Sequence, residues 1–415
     1  VNILFAHNNF PAQFRHLYKW LSANTDFNIK FLALGGEWNL DIKASNLVKF
    51  TISRDSNEKL CHPNLKRFEK AVLTGQGCLR AAMRLNEDGF IPDLIIGHSG
   101  FGSTLYLKEL WPNAKFLGYF EWFYKSQGSD VGFGKLEKTS PDMACRIHTY
   151  NAPILMDLAM CDRAIVPTYW QQKQFPKKHH QFFDVIFDGV DVDLFKPLKT
   201  DDLGMGITIN GVKIDADIPL VTYTTRGFEP YRGWPKVAEG ISLLMQRNPQ
   251  VNVLLVGSDE VAYGSKRADG KTWRQWAFET FNYDEKRLHF LPPLSYEDYL
   301  SVLQFSWVHI YWTIPFIASW SLFESLSTGC CVVASNTDPV KEAIASGSNG
   351  ILVDFFDIDG MAARVDELIR NSEHRHFLKK AARQKIIESK YDLKTCLSKQ
   401  LNVINEITGE SLEIN

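Results

Sequence analysis

Residues 307–334, WVHIYWTIPFIASWSLFESLSTGCCVVA, decide how this chain folds. The apolar run Val308-His309-Ile310-Tyr311 has the character of a buried strand. A loop carrying Pro315 then leads into residues 319–327, whose spacing predicts a helix. Gly329 ends that helix, and residues 330–334 read as a second strand. Strand, crossover helix and strand in so short a length make a right-handed unit of a parallel sheet, and ligands bind at the carboxyl edge of such sheets. Glu324 is the carboxylate in the first turns of the helix. Ser321-x-x-Glu324 is equally a capping box, so these residues alone leave its role open.

Outward from this stretch, strand-like and helical runs alternate over nearly the whole chain, which predicts an α/β fold with parallel sheets. Expected strands in the first half are 3–6, 29–34, 94–97, 116–120, 164–167 and 184–187, with helical stretches at 13–22, 71–86 and 103–110. The second half repeats the scheme with strands 220–224, 253–256, 288–291, 308–311, 331–334 and 350–353. Two such blocks imply two doubly wound, Rossmann-like domains facing a cleft, at 1–195 and 218–392. Between them 196–217 reads as a linker, because Phe195-Lys196-Pro197 is followed by polar, Gly-containing sequence without a strong period. The tail, 393–415, is helical and is a candidate to cross back onto the first domain.

The 415 residues exceed what one core usually supports. An apolar content of 45% and a charged content of 23% describe an ordinary globular protein, and a net charge of −2 gives no reason to expect a nucleic-acid surface. No apolar run approaches the ~20 residues of a membrane span. The sequence opens in a strand with no leader-like segment, and its seven cysteines contain no C-x-x-C, so the expected setting is the reducing cytoplasm.

Chemistry-bearing residues collect at the expected carboxyl edges. The first loop, His7 to Arg15, places Asn9 and Arg15 at the start of a helix, where backbone amides and a cation suit an anion. It lacks G-x-G-x-x-G, which disfavours an NAD enzyme. His98 ends the 94–97 strand as a candidate acid, base or hydroxyl ligand, and Glu121 stands among Tyr119, Trp122 and Tyr124 in a setting that suits a carbohydrate. In the second domain Arg226 and Arg232 flank a turn whose guanidinium forks match a diphosphate. Gly257 leaves room for a nucleoside base, and Glu324 is placed to accept ribose hydroxyls. Asp191-x-Asp193 and Asp357-x-Asp359 are too short to define a metal site, and His374 and His376 cannot share a helix face, so no metal is expected. Trp38, Lys66, Arg67 and Lys70 are either solvated helix faces or contacts for a lipid-linked acceptor at a membrane surface.

Taken in order, Asn8 to Arg15, Ala164 to Trp170, Asp188 to Phe195, Arg226 to Gly233 and Ser319 to Gly329 resemble the family 4 (group 1) glycosyltransferases. These are retaining enzymes of GT-B fold that use nucleotide-sugar donors. The resemblance implies that Arg226 and Arg232 bind the donor diphosphate, that Glu324, as the second glutamate of E-x7-E, bonds the ribose, and that Ser319, Trp320 and Ser321 add to the phosphate site. It also implies front-face attack, the leaving phosphate oxygen helping to deprotonate the acceptor. The sequence departs from the family pattern at four places: Phe316 replaces the first glutamate, Arg232 replaces a lysine with one residue more in the turn, Glu121 stands where many members have histidine, and Ala12 where glycine is frequent.

The implied function is transfer of a hexose or related sugar from a nucleoside-diphosphate sugar to a glycan, lipid-linked or other small acceptor, without a bound cofactor or metal. The implied site is the cytoplasm, including the inner membrane face. Two alternatives share the nucleotide site: an NDP-sugar 2-epimerase, and a non-catalytic nucleotide-sugar or glycan-binding protein that the loss of the first glutamate would suit.

Overall fold

A computed structural model describes residues 1–35, 46–55, 60–134, 139–198 and 206–414. Trp38 lies outside them, as does part of the expected linker. The chain divides into two compact units, Val1–Gly189 with Leu393–Asn415, and Val190–Asp392.

Among the described residues, the first unit is built on a seven-stranded parallel sheet of β1 (Asn2–Ala6), β2 (Asn28–Leu34), β3 (Leu47–Phe50), β4 (Leu94–His98), β5 (Lys115–Tyr119), β6 (Arg163–Val166) and β7 (Phe183–Val185). Its helices are α1 (Arg15–Asn24), α2 (Lys66–Glu87), α3 (Leu107–Leu110), α4 (Pro141–Thr149), α5 (Ala152–Met160) and α6 (Tyr169–Gln172). The strand order β3-β2-β1-β4-β5-β6-β7 reverses direction between β1 and β4. Both faces are covered, so the strands are continuous apolar runs. Along β1, Ile3 and Phe5 enter one core with Phe14, Tyr18 and Phe31, while Leu4 and Ala6 enter the other with Cys78, Ala82 and Phe116.

The second unit carries β8 (Ile207–Ile209), β9 (Val212–Ile214), β10 (Leu220–Gly227), β11 (Asn252–Ser258), β12 (Leu288–Leu291), β13 (Val308–Tyr311), β14 (Val332–Ser335) and β15 (Ile351–Val353). Its helices are α7 (Trp234–Arg247), α8 (Trp273–Thr280), α9 (Tyr296–Phe305), α10 (Trp320–Ser327), α11 (Asp338–Lys341), α12 (Ile358–Arg370) and α13 (Ser372–Ile387). The main sheet has the order β12-β11-β10-β13-β14-β15, with its reversal between β10 and β13. The last helix, α14 (Leu393–Thr408), adds Leu397, Leu401 and Ile404 to the core of the first unit.

Three readings of the sequence differ from the fold. Within 196–217, expected to be a linker, β8 and β9 form an antiparallel hairpin whose Ile207, Ile209 and Ile214 pack with Leu220, Leu254 and Val256. The turn Asn210-Gly211 has both residues at positive φ, 47° and 82°, the conformation two-residue hairpins require. The expected helix 103–110 is helical only over Leu107–Leu110. Before it, Gly100 and Gly102 take positive φ, and Ser99 and Thr104 give their hydroxyls to Asp157, which draws the backbone out of the helical path. The 13–22 helix begins as a tight turn, Ala12–Phe14, before α1.

Candidate functional site

In the second unit, the residues expected to grip a donor collect around the β10–β13 reversal, where the carboxyl ends of two adjacent strands diverge. The register of β10 against β11 slips between Thr224 and Gly227, and this bulge delivers Arg226 at the strand tip. The tips of the two strands are pressed together. A Cβ on Gly227 would lie 2.1 Å from the Glu260 carbonyl oxygen, and one on Gly257 would lie 2.8 Å from the Thr225 carbonyl oxygen and 3.2 Å from the Phe228 ring. Gly257 is therefore required by the approach of β10 to β11, and the space ascribed to a nucleoside base is filled by Thr225 and Phe228.

Arg226 is exposed, and its guanidinium makes no hydrogen bond or ion pair with the described residues. Its carbonyl accepts from Ser258 Oγ at 2.8 Å, which fixes the turn beneath it. Arg232 is more committed. It donates from Nη1 to the Ile317 carbonyl at 3.0 Å, with its guanidinium 5.3 Å from the centre of the Tyr263 ring. That clasp ties the turn after β10 to the loop after β13. Between the arginines lies Glu229, fully buried, which accepts from the Tyr263 amide at 2.7 Å. Burial raises its carboxyl above the ordinary range, opposed by the Tyr263 amide and the charge of Arg232. Sequence reading missed Glu229, whose only signal was an acid between two arginines.

The second glutamate of the family pattern sits on α10. Ser319 is the N-cap residue but makes no side-chain capping bond; its hydroxyl bonds that of Ser321, and its amide donates to Tyr311 Oη at 2.9 Å. Glu324, 9% exposed, instead accepts from Tyr299 Oη at 3.0 Å, so the capping-box reading does not hold. Burial and the nearby Glu324 carboxylate push the Tyr299 phenol well above its ordinary range. Trp320, in the first turn, is exposed. Phe316, which replaces the first glutamate, is buried with its ring 5.2 Å from each of Tyr231 and Tyr263. Phe316, Tyr231 and Tyr263 thus form an aromatic trio beside Arg232.

In the first unit a second polar group gathers at the β1–β4 reversal. His7, Asn9 and Gln13 follow β1, His98 ends β4, and Glu121 follows β5. His7 is buried, and its Nδ1 accepts from the Asn9 amide at 2.7 Å, which places its proton on Nε2. Burial, and then the adjacent His98, hold His7 well below the ordinary imidazole range, so it is neutral at pH 7. The two rings meet edge to face with centroids 4.7 Å apart. His98 Nδ1 lies 3.0 Å from the Ser99 carbonyl, to which it donates, and its Nε2 is 3.7 Å from Glu121 Oε2. Glu121 also accepts from Gln13 Nε2 at 3.2 Å. Sequence reading named His98 and Glu121 but not His7, because a histidine beside two asparagines is also an ordinary polar turn.

Other candidates are placed differently. Asn9 is exposed, and Arg15 opens α1 half-buried. Arg67 is no solvated cation: it donates to Tyr124 Oη and lies over the Tyr124 and Tyr150 rings, at 4.2 and 5.0 Å. Lys70 is exposed and Lys66 half-buried. Among the described residues no group of three or more His, Cys, Asp or Glu converges as a metal site, and no helix is long and apolar enough to cross a membrane.

Comparison with known proteins fits this geometry. Residues 28–195 match the family "Glycosyl transferase family 4 group", and 213–385 match "Glycosyl transferases group 1". Over 216 residues the chain is 29% identical to a D-inositol 3-phosphate glycosyltransferase of Mycobacterium ulcerans, covering 51% of this chain and 43% of the relative. Over 221 residues it is 25% identical to a phosphatidyl-myo-inositol mannosyltransferase of Mycolicibacterium smegmatis, covering 49% of this chain and 53% of that one. The chain thus spans about half the length of the curated relatives it matches. The solved structure of Anabaena Alr3699/HepE in complex with UDP-glucose shares the fold, with a TM-score of 0.70 at 15% identity over 98% of this chain and 99% of that one. With two parallel sheets each reversing direction at a polar strand edge, and family matches over both halves, the chain belongs to the group 1 glycosyltransferases of GT-B fold.

Proposed function

We propose that the chain transfers a sugar from a nucleoside-diphosphate sugar to an acceptor hydroxyl, retaining the anomeric configuration and using no bound metal. One observation carries the proposal: Arg226, whose guanidinium makes no hydrogen bond or salt bridge among the described residues and has Glu229 as a charged neighbour, and the buried Glu324 belong to the turn and helix that follow adjacent strands at the reversal of the second sheet. That edge is the usual ligand position of doubly wound sheets. Arg226 would meet the diphosphate and offset the negative charge that grows on it in the transition state. Glu324 would accept from the ribose, while Tyr299 holds the carboxylate in place. Arg232 would hold the loop before α10 in register, with further N–H groups available to phosphate.

In the reaction the bond between the anomeric carbon and the diphosphate oxygen breaks, the electron pair leaving with the diphosphate. The acceptor oxygen bonds the same face of that carbon, and its proton passes to the departing phosphate oxygen. His7, with a donor at Nε2, and His98, an acceptor at Nε2 when neutral, form with Glu121 a complementary pair for sugar or acceptor hydroxyls. Phe316 leaves that recognition to groups other than the usual first glutamate. Support for the donor class comes from the relatives: the Anabaena structure holds UDP-glucose, and the mycobacterial proteins are a glycosyltransferase and a mannosyltransferase. The proposal places the reaction in the cytoplasm, with glycan and lipid-linked acceptors at a membrane surface among the classes to screen.

The test is sugar transfer by the wild type, Arg226→Ala and Glu324→Ala across UDP-, GDP-, ADP- and dTDP-sugars. Each variant should lose about 10²-fold or more in turnover while its circular dichroism is unchanged. Near-normal turnover in both removes the site. An epimerised sugar from donor alone, or donor binding without transfer or hydrolysis, would replace this reading with an epimerase or a binding protein.

A further inference from the structure

At the opposite, amino edge of the second sheet, Ile207 and Ile214 of the β8–β9 hairpin, Leu220 and Trp307 line a cavity of about 220 Å³. Its remaining wall includes Arg375 and Lys379, one turn apart on α13. Arg375 donates from Nη1 to the carbonyls of Leu368 and Ile369, at 2.6 and 2.8 Å, closing the carboxyl end of α12, and its guanidinium lies 4.4 Å from the centre of the Trp307 ring. Lys379 gives one of its three N–H groups to the Ser306 carbonyl at 3.0 Å.

Those bonds explain why two cations sit on this helix face, but they leave donors unspent. Neither side chain has a carboxylate partner among the described residues, and Asp215, the acid in the lining, pairs with Lys213 at 3.3 Å. Burial pulls the Lys379 ammonium below its ordinary range, opposed by Cys330 and Cys331 and helped to a smaller degree by Arg375. Removing such charges from water without a counter-charge is costly, and an anion between them would relieve that cost. Gln304, which gives its amide to the Lys196 carbonyl at 2.8 Å, and His376, whose Nδ1 donates to the Ser372 carbonyl at 2.6 Å, also reach the wall; the other lining residues are apolar, and a cavity of roughly 150 Å³ suffices for a benzene-sized body.

We propose that this cavity binds a small amphiphilic anion, a phosphate or carboxylate on a compact apolar body. Its oxygens bond Arg375 and Lys379, and its apolar part packs on Ile207, Ile214 and Trp307. The site is separate from the strand edge assigned to the donor and does not depend on that assignment.

The experiment titrates phenyl phosphate, benzoate and the neutral benzyl alcohol into the full chain by calorimetry, in the wild type, Lys379→Met, Ala216→Phe at the cavity wall, and Arg226→Ala. One or both anions should bind while the alcohol does not, the one that binds identifying the headgroup. Lys379→Met should weaken binding about tenfold or more, and Ala216→Phe should abolish it while leaving the charges in place. Arg226→Ala should leave the affinity unchanged. No binding of either anion to the wild type overturns the proposal. So does an affinity that falls in Arg226→Ala but holds in both cavity variants, because the anion would then occupy the donor edge. If Lys379→Met fails to fold, Ala216→Phe decides alone.

Discussion

Arg226, Glu324 and Phe316 show how one position's chemistry is set by its local backbone. Arg226 is exposed because a bulge turns the end of β10 outward, and Glu324 is held because Tyr299 reaches it from α9. Both were legible in the sequence as a charge at a strand tip and an acid within the first two turns of a helix. Gly257 was legible as a special position but for another reason, since its missing side chain makes room for Thr225 and Phe228. Two residues of left-handed backbone make a further contrast. Ala12, where the family often has glycine, sits at φ 47°. Gly233, at φ 68°, caps α7, and a Cβ there would lie 2.8 Å from the Cβ of Trp312. Gly233→Ala should therefore destabilise by about 1–2 kcal/mol from the backbone alone, and by more once Trp312 must shift. Urea denaturation measures it, and an unchanged midpoint would show that the turn relaxes freely.

At the scale of elements, α5 holds the loop after β4 through one buried carboxylate. Asp157 Oδ2 accepts from Ser99 Oγ at 2.7 Å, Thr104 Oγ1 at 2.9 Å and the Gly100 amide at 3.3 Å. Through Ser99, whose carbonyl accepts from His98, this reaches the polar cluster of the first unit. Burial raises the Asp157 carboxyl from 3.8 to about 6 despite those donors. The folded chain thus binds a proton more tightly than the unfolded one. The group's contribution to stability is complete below about 4 and is lost as the pH rises through about 6, over a range on the order of 3 kcal/mol. The stability difference between wild type and Asp157→Asn should shrink as pH is raised from 4 to 7, read from melting temperatures. A constant difference would show that Asp157 does not titrate there. The sequence revealed none of this, because an aspartate within a helical run carries no sign of the loop it will meet. The β8–β9 hairpin is the opposite case. Asn210-Gly211 between alternating isoleucines is a strong hairpin signal, masked by the polar residues around it.

Over the whole molecule, the parallel sheets were the most legible feature, since strands covered on both faces must be unbroken apolar runs. Most expected strands fall within one or two residues of those observed. The edge strand β3 escaped notice, having only four residues and an exposed lysine, Lys49. The strand order was not legible residue by residue, yet it puts both candidate clusters at reversals of their sheets, because right-handed crossovers running outward in both directions leave an opening there. The central claim is that the reversal of the second sheet holds a nucleoside diphosphate. The most direct measurement is calorimetric affinity for the one of UDP, GDP, ADP and dTDP that most raises the melting temperature, compared between wild type and Arg226→Ala. The expected result is a loss of about 10- to 100-fold in the variant, the worth of hydrogen bonds to a charged partner. An affinity unchanged by removal of that guanidinium would contradict the claim.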